Sequence, residues 1–150
     1  MIILKLDKNV KLIKDLNPNT IVLIKIGAFY HAYGKDAYLL SYLFGYQLKT
    51  LDGTLTTCGF PSAGLNKIKK ELEDKEINYM KVLKRDNYAV EEDMSFKSNN
   101  KYSEYSDKAY RYIMKKKKID SITSYLTDNI NNDNFQEKIL KIEEVLYGKD

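Results

Sequence analysis

Between Asn17-Pro18-Asn19 and Gly27 the chain runs Thr20-Ile21-Val22-Leu23-Ile24-Lys25-Ile26, with a single charge in the stretch. Branched apolar side chains of this kind are stiff at χ1 and fit a pleated, covered surface, so the run reads as a buried strand. A strand of this kind needs neighbours, and the rest of the chain has to supply a sheet around it. Directly after it come four rings between two glycines: Gly27-Ala28-Phe29-Tyr30-His31-Ala32-Tyr33-Gly34. This is read as a ring-rich turn leading into a helix. From Lys35 the apolar positions Ala37, Leu40 and Phe44, with Leu39 and Leu43 alongside, follow helical spacing. Asp36 falls in the first turn, where a carboxylate complements the helix dipole, and Gly45 is placed to end the helix.

Further on, Tyr46 to Leu51 and Thr54 to Cys58 flank Asp52-Gly53, a dipeptide favoured in two-residue hairpin turns. Leu65, Ile68 and Leu72 mark a second amphipathic helix, and Ile77 to Leu83 and Tyr88 to Glu92 form another strand pair across Arg85-Asp86-Asn87. The order strand, helix, hairpin, helix, hairpin predicts an α+β or α/β fold: a mixed β-sheet flanked by helices. Composition shifts at Ser95 to Asn100, and three short helical patterns follow, at 102–113, 122–130 and 135–146. The expected organisation is an α/β domain over residues 1–95 and a helical extension over 96–150.

Charge and cysteine use narrow the function classes. The one cysteine, Cys58, and the one histidine, His31, leave no disulfide framework and no ordinary transition-metal site. No catalytic residue is expected either, because nothing pairs His31 with a nucleophile, and Cys58 reads as a small buried hydrophobe. The N-terminal apolar start is broken by Lys5, Asp7 and Lys8, too short and too charged for a signal peptide or a spanning helix. A cytoplasmic protein without a membrane partner is expected. The net charge of +4 is uneven: residues 97–118 carry 8 basic against 2 acidic side chains, and 119–150 carry 3 against 7. Only Arg85 and Arg111 are arginines, which provides poorly for bidentate guanine readout, although lysines still hold phosphates. Because an AT-rich genome also produces many Lys, Asn, Ile and Tyr, the lysine count alone carries no argument.

The order of motifs is more specific. Ile21 to Ile26, then Gly27-Ala28-Phe29-Tyr30-His31, then Asp36-Ala37, then Gly59-Phe60-Pro61 resemble, in order and spacing, the N-terminal mismatch-recognition domain of the MutS DNA mismatch-repair proteins. There an apolar strand ends in G-D-F-Y-E, followed by D-A at a helix start and a G-[VI]-P element. The resemblance covers roughly residues 8 to 92. Nothing resembles the family's connector, lever, clamp or ATPase domains, and no G-x-x-x-x-G-K-[ST] loop occurs, so this polypeptide is not expected to drive ATP-dependent repair.

The resemblance implies a non-enzymatic DNA-binding protein without cofactors, whose partner is double-stranded DNA that is mismatched, bulged or kinked. Phe29 occupies the position of the family's wedge, which stacks on a mispaired base from the minor groove. His31 stands where the family has a glutamate, Ala28 replaces the aspartate before the wedge, and Ser62-Ala63-Gly64 lacks the histidine that commonly follows G-x-P. From the residues alone, Phe29 is either that wedge or a core ring closing the corner, with Tyr30 turned to the opposite face by strand alternation. His31, Lys25, Lys35 and the run Lys115, Lys116, Lys117 and Lys118 are the further candidate DNA contacts. The lysine run also reads simply as the solvated end of a helix, where cations favour the dipole. Acidic groups such as Glu91-Glu92-Asp93 read as solvated edges rather than a nuclease centre. A competing reading is an interaction or regulatory module that kept the fold and lost DNA recognition, using the tyrosine-rich helix at 102–113 to bind a full-length repair protein or a second copy.

Overall fold

The computed structural model describes residues 8–51, 55–84, 87–95 and 99–148. Six strands form one mixed sheet in the order β3-β4-β2-β1-β5-β6. The apolar run is β1 (Ile21–Ile26), near the centre, antiparallel to β2 (Phe29–Tyr33) and parallel to β5 (Tyr79–Lys84). Outside them lie β4 (Leu55–Pro61) with the short edge strand β3 (Lys49–Leu51), and β6 (Tyr88–Met94) on the other edge. The Asp52-Gly53 turn lies outside the described residues; the antiparallel pairing of Lys49–Leu51 with Leu55–Thr57 makes a hairpin there, but Leu51 opposes Leu55, so three residues separate the strands instead of the expected two, and the first strand begins at Lys49 and not at Tyr46. Edge strand β6 carries Glu91-Glu92-Asp93 and an irregular register opposite Lys81/Val82, two features that discourage pairing with other chains.

The ring-rich segment is a strand and not a turn. Gly27 and Ala28 alone make the reversal, which puts Ile26 directly opposite Phe29. Gly27 has φ +62°, the conformation required at the first central position of a type II′ hairpin turn. Four rings fit here because a strand sends them alternately to two faces.

On one face of the sheet, Ile21, Leu23, Tyr30, Ala32, Cys58, Phe60 and Tyr79 pack with Leu39 and Leu40 of α2 (Lys35–Phe44), Ile68 and Leu72 of α3 (Leu65–Asp74), and Tyr102 and Ala109 of α4 (Tyr102–Asp128). Gly45, left-handed at φ +76°, caps α2 as its sequence position predicts, and its N–H bonds the Ser41 carbonyl. The other face has a smaller cluster of Val22, Ile24, Met80 and Val82, covered by Val10 of α1 (Lys8–Leu16), a helix that sequence reasoning did not identify. Cys58 is buried as expected, and burial pushes its thiol up to about 12.

By compactness the chain divides into two units, Met1–Ile113 and Met114–Asp150. Tyr102, Ser106, Ala109 and Ile113, from the segment read as extension, are buried. Two of the three expected C-terminal helices are one: α4 runs unbroken through the lysines, which are good helix formers, and only α5 (Phe135–Tyr147) is separate. Among the described residues, no helix is long and apolar enough to cross a membrane.

Candidate functional site

Directly opposed residues in antiparallel strands share a face. Ile26 opposes Phe29, and Phe29 opposes Pro61, so three strands set an apolar row across the end of the sheet, at the β1–β2 turn. Phe29 is 49 % exposed and Ile26 41 % exposed, and Pro61 is exposed as well. The spread of this row is two strand spacings, about 10 Å. The Ser62 N–H donates to the Ala28 carbonyl at 2.9 Å, tying the hairpin tip to the end of β4. The ring is therefore presented on paired backbone and not on a loose loop.

One row inward on the same face, His31 opposes Ile24 and Gly59. A Cβ on Gly59 would stand 3.2 Å from His31 Nδ1 and 3.4 Å from Cε1, so the imidazole occupies the space beside the glycine. The ring is half-buried rather than fully displayed. Burial holds its pKa below the ordinary 6.5, and nearby Lys49 pushes the same way, so the imidazole is neutral at neutral pH, with one donor and one acceptor. The unfolded chain takes up the proton first, so the stability associated with His31 is complete above about pH 6.5 and is lost as pH falls towards the folded pKa. His31→Gln is expected to flatten the acid side of the urea stability profile relative to the parent; parallel profiles for the two proteins would contradict this.

The remaining candidates lie apart. Lys25 opposes Tyr30, whose ring is in the main core, so Lys25 belongs to the face away from Phe29. Lys35 opens α2, beyond the far end of β2 and roughly 13 Å or more of strand from Phe29. It stands at a cavity of about 300 Å³ whose lining includes Val10, Lys14, Val22 and Tyr33. Lys115, Lys116, Lys117 and Lys118 are exposed and belong to the second unit. The structure thus brings together Phe29 and His31 and adds Ile26, Pro61 and Gly59. A two-residue turn at Gly27-Ala28, had it been recognised, would have paired Ile26 with Phe29 from sequence alone.

Asp36 has a different role from the dipole partner read from sequence. It is 1 % exposed, and its carboxylate accepts hydrogen bonds from the Val22 N–H at 3.0 Å, Lys14 Nζ at 2.8 Å and the Tyr102 hydroxyl at 2.6 Å. Lys14 also donates to the Thr20 carbonyl at 2.7 Å and sits 4.6 Å from the centre of the Tyr102 ring. Burial pushes the Asp36 carboxyl upward, against the opposing pull of Lys14, Tyr102 and Val22. Burial and Asp36 both raise the Tyr102 hydroxyl, which stays protonated as a donor. One carboxylate thereby joins α1, β1, α2 and α4.

Compared with known proteins, residues 5–91 match the family model for MutS domain I. No curated protein matches the chain.

Proposed function

The chain belongs to the MutS domain I family, and on that premise we propose that it binds duplex DNA that is mispaired, bulged or otherwise easily kinked, using Phe29 as an aromatic wedge. Family membership points to DNA recognition related to mismatch repair. The observation that carries the finer reading is the half-exposed Phe29 ring on a rigid hairpin tip, in line with the exposed Ile26 and Pro61. Together the three side chains make an exposed apolar row that a flat apolar surface such as a base can cover.

The energetics of such a wedge favour damaged over sound duplex. Unstacking a base step costs on the order of a few kcal/mol, least where pairing is already weak, and stacking on an aromatic side chain returns roughly 1–3 kcal/mol per base. Discrimination then comes from how readily the DNA deforms, which suits a chain with two arginines. Neutral His31, one row behind the wedge, offers a hydrogen bond to a base edge without the charge repulsion a carboxylate would have towards phosphate. Lys35, Lys49, Lys116 and Lys117 are assigned to phosphate contacts, which position the protein and make binding salt-sensitive, whereas Lys25 faces away from the wedge. The work assigned to the site is binding, without catalysis.

The competing interaction-module reading rests on a helix that is partly committed to the protein's own fold, although Tyr110 and Tyr112 stay about half exposed. Tyr102 and Ala109 are buried in the protein's own core with Tyr105 packed against it, and Tyr110 and Tyr112 meet the rings of Tyr38 and Tyr42 at 6.4 and 5.3 Å. Titration of labelled homoduplex, mismatched and bulged duplexes at two salt concentrations tests the proposal. Mismatched and bulged duplexes are expected to bind about tenfold more tightly than homoduplex, a difference of about 1.4 kcal/mol, with all affinities falling as salt rises. Equal affinity for all three, or no binding at low salt, would overturn it.

A further inference from the structure

The second unit has the secondary structure of a folded element but not its interior. Among the described residues 114–148 no side chain is buried. Ile119, Ile122, Tyr125 and Ile130, and then Leu140, Val145, Leu146 and Tyr147, are each exposed by half or more. The start of α5 meets the end of α4 at the corner between them: Lys138 Nζ donates to the Tyr125 hydroxyl at 2.6 Å and lies 5.0 Å from the centre of its ring. At 100° per residue, Met114, Ile119, Ile122, Tyr125 and Leu126 fall on one arc of α4, about 140° wide. Phe135, Ile139, Ile142, Val145 and Leu146 fall on one arc of α5, about 120° wide. One neighbouring helix covers only part of an arc that wide. A packed four-helix arrangement covers it from two sides.

The charges say what kind of partner fits. Residues 114–121 carry four lysines and only Asp120, a net +3, whereas 122–137 carry Asp128, Asp133 and Glu137 and no basic residue, a net −3. Lys138, beside Tyr125, leaves the acidic end at −2, and Lys141, Glu143 and Glu144, which together carry −1, leave the lysine end net positive, at +2. Lys116 and Asp128 are about 18 Å apart along the helix. The hairpin is therefore charged oppositely at its two ends, and its best complement is itself, reversed. We propose that residues 114–148 form half of a four-helix bundle, completed by the same segment of a second copy lying antiparallel. The lysine end of each copy then lies beside the acidic end of the other, and the pairing closes as a twofold dimer. Lys115 and Lys118 fall on the same arc as Ile119 and Ile122, at the lysine end of the seam itself, while Lys116 and Lys117 fall on the opposite side of α4, where phosphate contact is compatible with the dimer.

Sedimentation equilibrium of the full chain without DNA, across micromolar concentrations, tests this independently of any nucleic-acid role. A monomer–dimer equilibrium is expected. Ile122→Glu/Leu146→Glu should weaken it at least about tenfold, as should the solvent-exposed changes Lys115→Glu/Lys118→Glu and Asp128→Lys/Asp133→Lys, which do not threaten the fold. An equimolar mixture of the last two variants should recover the dimer, because both heterodimer contacts become attractive. A chain that stays monomeric, a dimer unchanged by Ile122→Glu/Leu146→Glu, or a mixture that recovers nothing would overturn the proposal.

Discussion

Asp36→Ala is expected to lower the stability of the first unit by about 3–5 kcal/mol, the range for removing one partner of a buried, hydrogen-bonded ion pair. The carboxylate is 1 % exposed and is the acceptor for three donors on three elements: Lys14 of α1, the Val22 N–H of β1 and the Tyr102 hydroxyl of α4. Removing it leaves a cation, a hydroxyl and an amide facing an apolar methyl, and each lost partner adds to the cost. Domains of this size have about 5–15 kcal/mol in total, so the variant should melt more than about 10 °C below the parent. Tyr102→Phe removes one donor and leaves the carboxylate its other two, so a loss of about 1–2 kcal/mol is expected there. Urea unfolding of the three proteins checks the ranking; an Asp36→Ala variant within about 1 kcal/mol of the parent would show that the cluster does not hold α1 and α4 to the sheet.

Phe29→Ala should have the opposite profile, with little effect on folding and a large effect on binding. The ring is half exposed and outside both core clusters, so its removal is expected to cost about 1 kcal/mol or less in stability. If the ring stacks on a base, its loss removes roughly 1–3 kcal/mol of binding, or about 5- to 150-fold in affinity for a mismatched duplex. Homoduplex, held by lysine–phosphate contacts, should be far less affected. Tyr30→Phe is the matching control, since Tyr30 stacks on Phe60 in the core at 5.4 Å and leaves binding unchanged. Equal losses for mismatched and homoduplex DNA would place Phe29 outside base recognition.

Legibility in the sequence followed the range of the interaction. The central strand, α2 with its Gly45 cap, α3 and the strand pair of β5 and β6 are governed by local periodicity and turn chemistry, which a single sequence displays directly. The aromatic segment misled because the density of rings suggested a turn, while its period of two, Phe29 and His31 on one side and Tyr30 on the other, was already that of a strand. α1 was missed because its lysines alternate with apolar residues along the sequence; at 100° per residue Val10, Leu12, Ile13 and Leu16 share one side of the helix, and only Val10 is buried from it. At the candidate site, Phe29 and His31 were recognisable from the motif. Ile26, Pro61 and Gly59 join them only through cross-strand register. Asp36 shows the limit most clearly: its partners Lys14, Val22 and Tyr102 are far apart in the chain, and nothing in the local pattern marks a carboxylate at a helix start as a buried hub.

The central claim is that the Phe29 ring stacks on bases at a weak point in the duplex, and NMR of the protein saturated with a mismatched duplex reads this directly. The account predicts upfield shifts of the Phe29 ring protons, with intermolecular NOEs from that ring to the bases flanking the mismatch, and neither effect with homoduplex. Ring resonances that stay where they are in the free protein, while lysine signals report full binding, would contradict it.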